Sequence, residues 1–247
     1  TGPNGNSGLA AIGAGSQVVN VSGNVYNAAV GSTTPTPVTL ANQRVGGTVS
    51  QVLTVSNTAA AGAFSEALNA SFGANTGAAT NNGGNVGNLI AGGNNAALMS
   101  VGVNTGTSGA KTGTVTLNYQ TDGTGPNGNS GLAAIGAGSQ VIGVSGNVYQ
   151  VAAGQLNTPA LNFGTVQVGQ SVSQVLSITN SATGAAGFVE DLNARFGATS
   201  GIGSNLISGS GSITNLLAGN TNGSAMTVNV NTSSAGTVSG AIAVDYF

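Results

Sequence analysis

The chain contains no cysteine, no histidine and no tryptophan, and it carries almost no charge. Without cysteine there is no disulfide framework. Without histidine or cysteine, neither a Ser-His-Asp nor a Cys-His nucleophilic site can be built. The charged residues are Arg44, Lys111 and Arg195 against Glu66, Asp122, Glu190, Asp191 and Asp245. Three basic groups cannot neutralise a phosphate backbone, so nucleic acid is not an expected partner. No run of about eighteen apolar residues occurs, so no helical transmembrane segment is expected. With so little charge on each copy, close self-association meets little electrostatic resistance. What the chain does have is glycine, 43 in 247 residues, in a background of Asn, Thr and Ser. Such a composition also suits disorder, but the many β-branched residues in alternating runs point to ordered strands.

The chain repeats itself. Residues 1–26 read TGPNGNSGLAAIGAGSQVVNVSGNVY, and residues 124–149 read TGPNGNSGLAAIGAGSQVIGVSGNVY. They differ only at Val19 against Ile142 and Asn20 against Gly143. The match continues with small insertions of the kind surface loops tolerate. VGGTVSQVL (45–53) matches VGQSVSQVL (168–176), LNASFGA (68–74) matches LNARFGA (192–198), and MSVGVNT (99–105) matches MTVNVNT (226–232). A complete repeat spans 28–150. A second spans 151–247 and stops before its own copy of the SQVIGVSGNVY segment. The remaining piece, 1–27, is a copy of that final segment placed ahead of the first repeat.

Within a repeat the apolar runs are short, period-two, and bounded by Gly, Asn, Ser or Pro, which predicts an all-β fold. Strands are expected at 38–43 and 160–167, 48–57 and 171–180, 64–72 and 188–196, 97–104 and 225–231, and 113–119 and 240–246. A short element is expected at each NLIAG/NLLAG phrase, and a last strand at 139–149. Pro35, Pro37 and Pro159 are read as stiffening the entrance to the first strand of each repeat. Seven short strands in such a length predict tandem immunoglobulin-like β-sandwiches. A repeat of this length is too long for one coil of a β-helix. ALNFGTVQVGQSVSQVLSITN (160–180) resembles the opening of ASH (Hydin-type) immunoglobulin-like domains. SGLAAIGAGSQVIGVSGNVY (130–149) is similar to the end of the bacterial choice-of-anchor D repeats of secreted surface proteins. The corresponding phrase of the first repeat, VTLANQRVGG (38–47), lacks the Phe-Gly pair. The resemblance implies a structural or binding module and brings no catalytic residues.

Each chemical candidate has a plainer reading beside it. Lys111 lies in a Gly/Thr turn and reads as a solvated loop lysine. Glu190 and Asp191 are neighbours on one chain segment, so their side chains point to opposite faces of a strand and do not converge as a glycosidase pair would. Glu66 aligns with Glu190, which suggests a repeated structural role, and Arg195 is placed for a surface ion pair. The loop TDGTGPNGN (121–129) has the look of a calcium loop, but Asp122 is its only acid, whereas calcium calls for several oxygen ligands. The glycine-rich stretches 8–15 and 201–211 lack the strand, helix and lysine of a phosphate cradle. Glycosylation sequons fall at Asn20, Asn69, Asn222 and Asn231, close to chance in so Asn-rich a chain. No enzyme activity, cofactor or metal is expected.

The phase of the repeats suggests a use. A sandwich without its last strand has an open edge and an uncovered groove, which invites pairing. The expectation is that Ser16, Val19, Val21, Val25 and Tyr26 form an assembly strand. The groove that receives it is expected to be lined by Leu176, Ile178, Ile242, Val244 and Tyr246 of the 151–247 repeat. The partner is then another copy, head to tail, or an adjacent repeat of one long array. The function expected is a structural subunit of an extracellular fibre, sheath or surface array. The alternative is a cell-surface adhesin or a glycan- or ligand-binding stalk module. The first residue is Thr1, which fits a processed secreted chain or an excerpt of a longer one.

Overall fold

The alternating runs form strands in the computed structural model, which describes residues 9, 10, 12–127 and 130–247. The chain is all-β, and among the described residues its one helical piece is a short 3-10 turn at Ser204–Leu206. In chain order the strands are β1 (Gly31–Thr34), β2 (Val38–Thr39), β3 (Gln43–Arg44), β4 (Ser50–Val52), β5 (Thr54–Asn57), β6 (Ala67–Gly77), β7 (Ala79–Asn81), β8 (Asn85–Leu89), β9 (Asn94–Asn95), β10 (Ser100–Val103), β11 (Gly109–Asp122) and β12 (Ile135–Tyr149). The second repeat contributes β13 (Gly154–Leu156), β14 (Val172–Val175), β15 (Ile178–Asn180), β16 (Leu192–Ser200), β17 (Ile207–Ser210), β18 (Ser212–Leu216), β19 (Thr221–Asn222), β20 (Thr227–Val230) and β21 (Ala241–Tyr246).

The first repeat makes sheets of order β1-β5-β9, β4-β10-β7 and β2-β12-β11-β6-β8, with β3 also on β12. The second repeat makes β13-β15-β19, β14-β20-β17 and β18-β16-β21. The orders match strand for strand as far as β21, the counterpart of β11, and nothing among the described residues pairs with its outer edge. The strand expected at 160–167 is also missing, and the first repeat shows why. There β2 and β3 are bonded only to β12, in parallel, with Val38 opposite Val144 and Gln43 opposite Val148. The 160–167 segment has no such neighbour among the described residues, and a strand needs one to satisfy its amides.

Other departures from the sequence pattern have local causes. The single strand expected at 48–57 is two: β4 pairs with β10, while β5 pairs with β1. The chain crosses from one sheet to the other at Leu53, which is fully buried. The first repeat therefore holds twelve strands where seven were expected, several of only two to four residues, while β11 and β12 run longer than expected. β1 precedes Pro35 and Pro37, so these prolines sit in the bend between β1 and β2, inside the repeat and not at its entrance.

Each repeat has its own cluster of buried side chains. Each also carries the same buried asparagine clamp beside its β1 or β13 strand. Asn57 Nδ2 donates to the carbonyls of Glu66 (3.2 Å) and Leu89 (3.1 Å). Its Oδ1 accepts from the amides of Val30 and Ala59. Asn180 repeats the set with the carbonyls of Glu190 and Leu216 and the amides of Ala153 and Ala182. Four hydrogen bonds from one amide saturate its donors and acceptors, so burying it costs little and ties three loops together.

Candidate assembly site: an exposed segment and an open sheet edge

β12 runs antiparallel along β11 from Gly109 opposite Val148 to Thr121 opposite Ile135. Alternate side chains of β12 enter the core: Ile142, Val144 and Val148 are 0%, 2% and 0% exposed. Their counterparts in the 12–26 segment are Val19, Val21 and Val25, and these are 82%, 90% and 89% exposed. That segment forms no strand. Near-identical sequence therefore adopts two states, and the difference is whether a neighbouring sheet is present. Residues 1–8 and 11 of the expected assembly segment, and 128 and 129 of the glycine-rich loop, lie outside the described residues.

The second repeat shows the complementary deficiency. In the first repeat β12 covers Val115, Leu117 and Tyr119, which are buried together with Val38 and Leu40. The counterparts Ile242, Val244, Leu161 and Phe163 are only partly buried. Tyr246 is 36% exposed, against 3% for Tyr119. Leu176 and Ile178, expected to line the groove, are themselves buried in the second cluster. Leu161 and Phe163, which the sequence reading did not single out, are partly buried against the same cluster. Their signal was present, since they align with Val38 and Leu40. Within the exposed segment, Ser16 has the parity of Ser139, which faces solvent; Gln17 has the inward parity.

Tyr26 marks where the segment meets the first repeat. Its ring packs edge-on against Phe64 with centroids 5.3 Å apart, and Asn27 bridges to Ser65 in parallel. The junction between the repeats is built the same way: Tyr149 lies 5.5 Å from Phe188, and Gln150 bridges to Val189. The junction between the repeats carries two further contacts, the first from the Ala185 amide to Ser108 Oγ at 2.8 Å. Arg44 Nε lies 2.9 Å from Glu190 Oε1, joining the end of β3 to the second repeat and holding the guanidinium pKa above its ordinary value. Arg195 approaches Asp245 at 3.9 Å.

The remaining candidates have local partners. Asp122 accepts from the Thr124 hydroxyl (2.7 Å) and amide (2.9 Å) and from Asn69 Nδ2 (2.8 Å). Those bonds, led by the Thr124 hydroxyl, hold its carboxyl below the usual range. Among the described residues no three acidic, His or Cys side chains cluster as a metal site would require. Glu66 is buried and accepts from Thr121 Oγ1 at 2.6 Å and Ser130 Oγ at 2.5 Å, a structural anchor for the β11–β12 loop. Lys111, expected in a turn, lies instead on β11 opposite Gly146 and donates to Thr107 Oγ1 at 2.8 Å. No described helix is long and apolar enough to cross a membrane.

No family model matches the chain, and no curated protein matches it. Among solved structures it is similar to the chaperone–tip adhesion subunit pre-assembly complex from archaic chaperone-usher Csu pili of Acinetobacter baumannii. The sequence identity is 10%, the TM-score 0.34, and the match covers 87% of this chain and 99% of that one.

Proposed function

We propose that the chain is a structural subunit of an extracellular fibre, sheath or surface array, not an enzyme. In this reading it is built from immunoglobulin-like sandwiches of the choice-of-anchor D kind. Residues 12–26 of one copy complete the 151–247 sandwich of another, lying between β21 and the 160–168 segment as β12 lies between β11 and β2/β3. The observation that carries the reading is the paired deficiency: three strand-forming valines in solvent, and a sheet edge lacking the strand whose sequence they share.

The positions of the two junctions keep the segment from serving its own second repeat. Ser65, the partner of Asn27, lies beside Ala67, which pairs with Asp122 at one end of β11. Tyr149 leaves at the other end, beside Val148 and Gly109. At ~3.4 Å per residue, β11 separates the two ends by roughly 40 Å. The junction contacts at Arg44 and Tyr149 attach the second repeat at the far end. Tyr26 adjoins Asn27 directly, so no linker spans that distance. A head-to-tail contact of this kind does not close on itself and propagates as a fibre.

A covalent array of many such repeats would make the same local contacts. The distinguishing experiment is intact mass in denaturant for chains drawn from native assemblies. Subunits near 23.4 kDa support strand exchange between separate chains, and a single much larger polypeptide would assign the same contacts to one continuous array.

A further inference from the structure

Resting on that reading, we infer that Gln17 is the residue that sets the register of the assembly strand, by clamping onto Tyr246 and the backbone of Leu156 in the receiving repeat. The completed first repeat displays the clamp. Gln140, the counterpart of Gln17, accepts at Oε1 from the Thr33 amide (2.9 Å) and the Tyr119 hydroxyl (2.9 Å). Its Nε2 donates to the Thr33 carbonyl at 2.8 Å. One side chain thus ties β12 to β1 in the facing sheet and to the end of β11.

The receiving repeat holds the other half of this arrangement. Leu156 stands where Thr33 stands, opposite Ile178 as Thr33 is opposite Val55. The clamp uses only the backbone of Thr33, so the change to Leu does not remove it. The Tyr246 ring lies over Gly154 as the Tyr119 ring lies over Gly31; a Cβ at either glycine would collide with the ring. Tyr119 also shares a 2.7 Å hydrogen bond with Thr33 Oγ1. Leu156 offers no hydroxyl, and among the described residues the Tyr246 phenol has no hydrogen-bond partner. Gln17 would supply it.

The valines cannot fix the register alone. Side chains alternate with period two, so a slip of two residues keeps Val19, Val21 and Val25 on the inward face. The same slip carries Gln17 away from Tyr246 and buries its amide without partners, a penalised state. The apolar residues therefore supply affinity, and the single inward polar residue selects one register among degenerate ones.

The test uses the full chain and its Gln17→Ala, Tyr246→Phe, double and Val21→Asp variants. Critical concentration is read by sedimentation. Register is read by disulfide capture between V18C and either A243C (in register) or A241C (slipped by two, with Gln17 moved away from Tyr246). Gln17 is exposed in the free chain, so folding is not at risk. The expected result is that Gln17→Ala raises the critical concentration about tenfold, the loss of one to two hydrogen bonds. The slipped product should rise in that variant, and Tyr246→Phe should add little further in its background. If Val21→Asp blocks assembly while Gln17→Ala changes neither reading, the clamp is wrong and strand complementation stands. If Val21→Asp assembles normally, the underlying reading itself fails.

Discussion

Replacing Val21 by aspartate separates assembly from folding more cleanly than any other substitution in this chain. Val21 is 90% exposed in the free molecule, whereas its counterpart Val144 in the completed repeat is 2% exposed. An exposed change of this kind shifts the free chain's own stability by no more than about 0.5 kcal/mol. In the docked state it removes the burial of one valine, worth roughly 1.5–3 kcal/mol, and sets a carboxylate in an apolar groove at a cost of at least a similar size. The sum is about 3 kcal/mol or more, equivalent to at least about a hundredfold weaker association. Sedimentation velocity over a concentration series reads the association, and a circular dichroism melt of the dilute chain reads the folding. The expected outcome is an unchanged melt with assembly lost at every accessible concentration. Equal critical concentrations for Val21→Asp and the parent would refute the burial of this face. The matched Val144→Asp substitution should instead unfold the first repeat, because there the strand is already in place.

Three further outcomes follow from the same geometry. Asn180→Ala should destabilise the second repeat by about 2–4 kcal/mol, because the side chain is buried and its loss leaves four backbone groups unsatisfied. Those groups are the amides of Ala153 and Ala182 and the carbonyls of Glu190 and Leu216; urea unfolding followed at the second repeat checks this. Arg44→Ala should cost less than about 1 kcal/mol, and less still in high salt, because the ion pair with Glu190 is solvent-exposed; denaturant midpoints at two ionic strengths check this. Burial, opposed in part by the hydrogen bond with Thr33, lifts the Tyr119 phenol above its ordinary value near 10. The unfolded chain therefore ionises first, so this contribution to stability is intact below about pH 10 and is lost as pH rises through the folded-state value. Thermal melts between about pH 9 and 11 should show the decline, and Tyr119→Phe should flatten it.

Much of the fold was legible because alternation is a direct imprint of a two-faced sheet. Val115, Leu117 and Tyr119 announced β11, and Ile142, Val144 and Val148 announced β12. The crossing at Leu53 was not legible, since a residue that passes between sheets keeps the same parity on both sides. Nor was the fate of 160–167, whose ALNFGTVQ reads as a strand but lacks the parallel neighbour that β12 gives to β2 and β3. The near-identity of 12–26 to β12 was legible, and it is what motivates the proposed role of the exposed valines. Gln17 was not singled out, because its role emerges only when Gln140 is seen reaching across to Thr33 and Tyr119. The partner of Glu190 was equally hidden: Arg44 is distant in sequence, and the geometry of the junction selects it over the nearby Arg195.

The most direct test of strand complementation is disulfide capture with the V18C and A243C substitutions in one full chain, which has no native cysteine to compete. In the completed repeat their counterparts, Val141 and Thr116, stand directly opposite each other across β12 and β11. Opposed Cβ atoms in such a pair lie ~4.5–5.5 Å apart, close enough for a bond after slight adjustment. Mild oxidation should yield a ladder of covalent oligomers in steps of 23.4 kDa on a non-reducing gel, collapsing to one band on reduction. A cross-linked species of monomer mass, or no ladder under conditions where the assembly persists, would contradict head-to-tail completion of the second repeat by the 12–26 strand.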